Sequence, residues 1–292
     1  MSTVILLLLT GLGLGALYFL VASGLSLIYG LMHVLNFAHG VFLSFGAYLG
    51  WMVATTIGQT TWTGFLVSVL VGALAGGLFA AITELVFIRP LYERHIEQVL
   101  VTVGLGLAAV ALFEGIWGGD AITIQSPQFF GQVTEVFGAR VPNKVFIMIL
   151  TGVIVLLALV IFLKKTRYGM IIRAGVENRS MVTALGIDVR KAFTLVFTIG
   201  GAAAGLGGVL ASHYFTYVSP HLGQTLLIFA FIVTVIGGLG SLAGAAVAAV
   251  LVAVLQQFAN YYIPGSPGDL VVVLLLAVVL LVRPTGLMGK KA

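Results

Sequence analysis

The sequence predicts an all-α integral membrane protein, a polytopic helical bundle of about eight or nine spans with broken or re-entrant segments. Three observations support that expectation. Of the 292 residues, 60% are hydrophobic and 8% charged, against roughly 25% charged in ordinary soluble domains, which is too little charge to cover a water-facing surface. Apolar runs that reach or exceed the roughly 20 residues needed to cross a hydrocarbon core of about 30 Å recur from one end of the chain to the other. These runs do not alternate polar with apolar residues, so helices rather than a closed barrel satisfy the backbone in lipid.

The first residues, Met1 to Thr3, carry no Lys or Arg. The apolar run behind them is too long for a signal-peptide core, so it is expected to persist as the first span, Val4–Tyr29. Further spans are expected at Val41–Ile57, Trp62–Ile88, Val99–Trp117, Val145–Leu163 and Ala192–Tyr214. Two shorter stretches follow at Thr225–Ile236 and Leu242–Tyr261, and a last span at Leu270–Val282. The interval Lys164–Lys191 holds seven basic residues, Lys164, Lys165, Arg167, Arg173, Arg179, Arg190 and Lys191, and the tail holds Arg283, Lys290 and Lys291. The positive-inside rule places both in the cytoplasm. Counting crossings from there puts the amino terminus, Gly118–Lys144 and Ser212–Gln224 outside and Arg89–Gln98 inside. Thr225–Tyr261 must then leave and return to the outer side, turning at Gly237-Gly238-Leu239-Gly240-Ser241. Thr225–Ile236 is only about 18 Å long at 1.5 Å per residue, which fits a broken helix or re-entrant pair.

A second interruption follows the first span at His33-Val34-Leu35-Asn36-Phe37-Ala38-His39-Gly40. Glycine-interrupted segments in corresponding positions of two halves point to a translocation path, because freed backbone groups at membrane depth are tolerated only inside protein or beside water. The segments Leu27–Trp51 and Val233–Leu255 share their placement of glycine and small residues. The candidate path residues are therefore Asn36, Phe37, His39 and Gly40 at the first interruption and Gly237, Gly238, Gly240 and Ser241 at the second. Asn36 and His39 also suit a second reading, in which they cap the broken ends. The interval Gly118–Lys144, with turn signals at Ser126-Pro127 and Gly138-Ala139, is long enough for a small surface structure.

Composition excludes much else. The net charge of +5 sits in short loops rather than on one basic, aromatic-studded face, so no nucleic-acid partner is expected. With no cysteine, the chain can form neither disulfides nor thiolate metal sites. There is no G-x-x-x-x-G-K-[ST], H-E-x-x-H or G-x-S-x-G motif, and His33, His39, His95, His213 and His221 are not spaced as a metal set. No catalytic residue, metal or cofactor is expected, and any ATP hydrolysis belongs to another chain. Glu84, about a turn from Arg89, and Glu114 lie near helix ends, where structural or interfacial roles suit them. The lack of acidic residues deep in the bundle argues against an ion-driven carrier and favours a neutral or zwitterionic solute.

Between Lys165 and Lys191, Met181, Val182 and Leu185 are spaced to form one apolar side of a short helix, with Gly186 as its stop. By periodicity alone this segment reads as a helix resting on the membrane surface.

The stretches Gly24–Gly30 and Leu35–Gly40, the segment Arg173-Ala174 to Gly186-Ile187, and Ile236–Ser241 with Gly244-Ala245 together resemble the LivH-type permeases of branched-chain amino-acid ABC importers. The resemblance covers nearly the whole chain and implies one transmembrane permease domain over 1–292 in a bacterial inner membrane. It also implies that Arg173–Ile187 couples to an ATPase, through Arg173, Glu177, Asn178, Met181, Ala184, Leu185 and Gly186. Val182 departs from the alanine common in similar sequences. The implied partners are a second homologous permease, two cytoplasmic ABC ATPase subunits and an extracytoplasmic solute-binding protein. Related permeases for urea and short-chain amides keep the substrate open, and an autonomous solute channel is the alternative that needs no ATPase.

Overall fold

The computed structural model describes residues 2–32, 35–92, 94–177, 179–184 and 188–289. Helix α1 (Ser2–Met32) is followed by α2 (His39–Ile57) and α3 (Trp62–Thr83), which continues as a π-helical turn over Glu84–Ile88 and a 3-10 turn over Arg89–Leu91. Then come α4 (His95–Trp117), strand β1 (Ile122–Thr123), the single turn α5 (Gln128–Gly131), and strands β2 (Val133–Val136) and β3 (Ala139–Pro142). Helices α6 (Lys144–Lys165), α7 (Arg167–Glu177), α8 (Arg179–Ala184) and α9 (Val189–Phe215) precede strand β4 (Tyr217–Val218). The chain closes with α10 (Leu222–Gly237), α11 (Leu242–Tyr262) and α12 (Gly268–Val282).

Seven of the described helices, α1, α2, α3 with its extension, α4, α6, α9 and α11, are long and apolar enough to cross a membrane. Helices α10 and α12 have 16 and 15 residues, which at 1.5 Å per residue makes each about 22–24 Å long. Each expected span corresponds to one of these helices within a few residues at either end.

Local chemistry explains several boundaries. Helix α2 stops at Gly58, whose φ of 126° is open to glycine alone and whose N–H donates to Ala54 O. Thr61 Oγ1 then accepts the Gly64 N–H at 3.0 Å and opens α3. At the far end of α3, Pro90 lacks an N–H and closes the helix. Ser241 Oγ accepts the Gly244 N–H at 3.1 Å and opens α11.

The centre of the bundle is built from α1, α2, α3 and α9, and their contacts are backbone on backbone. A Cβ on Gly46 of α2 would lie 2.5 Å from the Gly205 Cα of α9, and one on Gly76 of α3 would collide with the Gly201 carbonyl of α9. Small residues admit such approaches where lipid supplies no hydrophobic drive. Gly24 of α1 meets Gly200, near the middle of α9, so position 24 marks the mid-depth of the bundle.

Two features define the faces of the bundle. Strand β1 pairs antiparallel with β4, Ile122 opposite Val218, so the intervals 118–144 and 212–224 share one face, as the parity count requires. The β2–β3 hairpin turns on Phe137 and Gly138, both at positive φ, and accounts for the Gly138-Ala139 turn signal. On the opposite face, Arg89 Nη2 donates to Thr194 Oγ1 at 2.8 Å and joins the end of the α3 extension to the start of α9.

The structure corrects two expectations. His39 and Gly40 belong to the first turn of α2 rather than to the interruption before it. Met181 and Val182 do not share an apolar side with one another: Val182 is buried in the core cluster while Met181 is 62% exposed. Val182 follows the bundle it packs on, and position 181 must then point away.

Candidate functional site

At the first interruption Asn36 is buried and closes a local turn. Its Oδ1 accepts the Ala38 N–H at 3.1 Å and its carbonyl accepts the His39 N–H at 3.2 Å. The buried His39 ring lies with Nε2 3.0 Å from the Val21 carbonyl. A carbonyl can only accept, so Nε2 carries the proton. The bond ties the start of α2 to mid-depth on α1. A Cβ on Gly106, at the centre of α4, would lie 3.7 Å from the Phe37 carbonyl, which places Phe37 at that depth too. Gly40 packs on the first turn of α10, where an added Cβ would lie 2.6 Å from the Gly223 carbonyl. Ser44 Oγ accepts the Gly223 N–H at 3.0 Å and donates to Pro220 O at 3.3 Å.

This arrangement leaves two buried polar atoms without a partner among the described residues, Asn36 Nδ2 and His39 Nδ1. It also leaves the Phe37 side chain 38% exposed. A recess of about 20 Å³ opens there between α1, the interruption and α10, lined by Leu25, Leu35, Asn36, Phe37, Leu227 and Phe231.

The second interruption lies deeper along the bundle. Gly238 and Gly240 take φ of 101° and 81°. The carbonyls freed at the end of α10 are capped by the tail, with the Leu287 N–H donating to Ile236 O at 2.8 Å and the Met288 N–H to Gly237 O at 3.0 Å. The Ser241 N–H closes the turn on Gly238 O at 2.9 Å. Gly240 rests against Gly30 of α1, six residues beyond Gly24 and so about 9 Å farther along α1. The structure therefore brings Asn36, Phe37, His39 and Gly40 together at mid-depth. Gly237, Gly238, Gly240 and Ser241 gather in a separate turn toward the tail-bearing face.

The segment between α6 and α9 begins with a tight corner, in which Thr166 Oγ1 accepts the Gly169 N–H at 3.0 Å. Ile172 and Val182 are buried, whereas Tyr168, Met170, Arg173, Met181 and Ala184 are exposed. Glu177 ends α7. Asn178, Leu185 and Gly186 lie outside the described residues. Asp188 then opens α9 by accepting the Arg190 N–H at 3.1 Å.

Sequence reasoning missed a buried carboxylate cluster beside this segment. Glu84 is fully buried and accepts from Tyr92 Oη, from Thr194 Oγ1 at 2.7 Å and from Arg89 Nε at 3.4 Å. Burial first, and then the Glu84 hydrogen bond and charge, hold the Tyr92 phenol above its ordinary range. The proximity of Glu84 and Arg89 was visible in the sequence, but Thr194 lies 110 residues away and no local pattern announces it. Glu114 pairs with His221 at 3.0 Å and ties the end of α4 to the start of α10. Both glutamates thus occupy structural positions.

The profile of the family described as branched-chain amino acid transport system / permease component matches residues 7–283. Among similar proteins, the high-affinity branched-chain amino acid transport system permease protein LivH of Salmonella typhimurium is 28% identical, over 96% of this chain and 94% of its own length. The corresponding protein BraD of Pseudomonas aeruginosa is 28% identical, over 97% and 95%. A probable branched-chain amino acid transport permease protein LivH of Methanocaldococcus jannaschii is 26% identical, over 92% and 88%. No solved structure matches the chain.

Proposed function

The chain belongs to the family of permease components of branched-chain amino acid transport systems, and from that premise we propose that it carries branched-chain or other apolar amino acids across a bacterial inner membrane. In this reading it forms one transmembrane domain beside a second homologous permease. Two ABC ATPase chains power it through Arg173–Ile187, and a binding protein delivers solute on the strand-bearing face. The amino terminus then lies outside and the basic segment and tail inside.

One observation carries the path. The non-helical backbone at Leu35–Ala38 sits at mid-depth with the Phe37 side chain exposed. Irregular backbone facing hydrocarbon leaves polar groups without partners and is excluded there. This face is therefore turned to a second permease and to the water-filled passage between the two. Phe37 faces it at mid-depth, with Asn36 behind in the recess and the buried His39 and Gly40 holding this turn in place, and the turn of Gly237, Gly238, Gly240 and Ser241 lies at its inner end. The recess there is lined by apolar side chains with the Asn36 amide as its polar group, which suits a zwitterion with a hydrocarbon side chain.

The test is uptake into proteoliposomes holding the co-expressed assembly with ATP enclosed on the ATPase side, using labelled leucine, valine, alanine, urea and ribose. Saturable, ATP-dependent uptake of leucine and valine is expected. Uptake of urea or ribose alone overturns the substrate, and uptake by this chain without any ATPase overturns the importer.

A further inference from the structure

A cavity of about 440 Å³ lies between the α5 segment and the neighbouring ends of α6 and α9, on the face that carries the strand pairs. Its size falls within the usual range for small-molecule sites, roughly 300–1,000 Å³. Ile124, Phe130 and Val133 give it an apolar wall, and Ser126, Lys144 and His213 a polar one.

The polar wall is cationic and lacks a counter-charge. Lys144 Nζ donates to the Tyr214 carbonyl at 2.8 Å and stands 5.0 Å from the centre of the Tyr214 ring. No described carboxylate pairs with it, so a partly buried ammonium keeps two N–H donors free. A cation held partly out of water with no counter-charge is costly, and a site that keeps one is suited to an anion.

His213, in the residue before Tyr214, is 3% exposed. Its Nδ1 lies 2.7 Å from Ser126 Oγ, and its ring meets the rings of Phe65 and Phe130 at 5.1 and 5.7 Å. In the tautomer that receives the Ser126 hydroxyl at Nδ1, the ring proton sits on Nε2, which bonds to no described residue, and a bound carboxylate selects that tautomer. The Lys144 bond to Tyr214 holds both donors on the same wall.

We propose that this cavity binds the carboxylate of a small apolar solute, with Lys144 and His213 holding the carboxylate and Phe130, Ile124 and Val133 the hydrocarbon body. Identifying that solute with a transported amino acid rests on the function proposed above. The cavity then serves as a reception site on one permease, apart from the passage at Phe37.

The test uses the purified assembly in phosphatidylcholine nanodiscs. Lys144 is acetylated with and without solute, and its modification is read by peptide mass spectrometry. Leucine and isocaproate are expected to protect Lys144, and isoamylamine, which lacks the carboxylate, is not. A second reading follows Trp62, whose ring centre lies 6.0 Å from that of Phe130, by fluorescence after Trp51 and Trp117 are replaced by Phe. Leucine should give a saturable change whose midpoint rises about tenfold in Lys144→Gln and in His213→Gln, the loss of one charge-assisted hydrogen bond, and stays near the parent value in Lys144→Arg. The site is overturned if neither reading responds to leucine or isocaproate, or if isoamylamine acts equally well. It is also overturned if Lys144 is protected only when phosphatidylglycerol is added, since the occupant is then a lipid headgroup. Uptake by the same assembly is measured separately. Leucine uptake without either response sinks this site alone, and a response without uptake sinks the transport reading alone.

Discussion

A Cβ built on Gly240 would lie 2.7 Å from the Cα of Gly30, so the second helix interruption touches α1 through two bare backbones. Gly238 is as confined, wedged beneath Met288 and Gly289 of the tail, and both glycines hold positive φ. Gly238→Leu and Gly240→Leu are expected to lose stability as well as uptake. Each incurs a left-handed backbone penalty of about 1–2 kcal/mol and an overpacking cost of about 1–3 kcal/mol. The check is thermal unfolding in mild detergent; wild-type melting with selective loss of transport would assign these glycines to the passage alone.

Glu84 ties the α3 extension to α9 with charge-assisted hydrogen bonds. Glu84→Ala removes the carboxylate to which Tyr92 Oη and Thr194 Oγ1 donate and is expected to cost roughly 2–4 kcal/mol. Because the Arg89 side chain is 36% exposed, water takes up part of its charge and the loss stays below that of a sealed ion pair. Glu84→Gln keeps one acceptor oxygen and should lie between Ala and wild type. Denaturation midpoints of the three proteins decide the order.

The opposite exposures of Met181 and Val182 separate coupling from stability. Val182→Ala removes buried methyl groups and should destabilise the chain by roughly 1–3 kcal/mol. Met181→Ala and Arg173→Ala should leave melting unchanged but reduce recovery of ATPase chains or stimulation of their activity by loaded binding protein. Normal stimulated hydrolysis in both variants removes this segment as the coupling element.

Phe37 and Leu70 are both exposed, but the proposed passage puts the first against water and the second against lipid. A cysteine at Phe37 is expected to react with a small charged methanethiosulfonate in the assembled importer, and one at Leu70 to remain unmodified. Equal protection of both would place Phe37 against lipid or a dry protein interface.

Orientation is open to the same reagent class. In right-side-out vesicles, an impermeant maleimide should label Asp120→Cys, beside the strand pair, and reach Lys165→Cys only after the inner face is opened. The reverse pattern inverts the bundle.

The spans were legible because apolar run length alone determines them, and the turn after α10 because Gly237-Gly238-Leu239-Gly240-Ser241 combines glycines at positive φ with a Ser cap. The start of α2 was not. Ala38 makes no side-chain cap bond; the helix begins where His39 reaches Val21 and Gly40 meets Gly223, contacts made across the fold. The tail's capping of Ile236 and Gly237 was equally hidden, since Leu287 and Met288 read only as the end of the chain. Lys144 and His213, too, are brought to one cavity by helices far apart in sequence.

The glycine seams among α2, α3 and α9 have a mechanical consequence. Where carbonyl oxygens and Cα atoms meet directly, as at Gly46 with Gly205 and at Gly208 with Leu43, no side-chain rotamer is available to absorb a sliding displacement. Those three helices turn or tilt only as one stiff body. Where side chains separate the backbones, as at the Tyr18–Phe229 stack of α1 on α10, with rings 5.0 Å apart, rotamers can exchange, so compliance is left to the middle of α10, between Gly223 seated on Gly40 and Gly237 seated on Gly244.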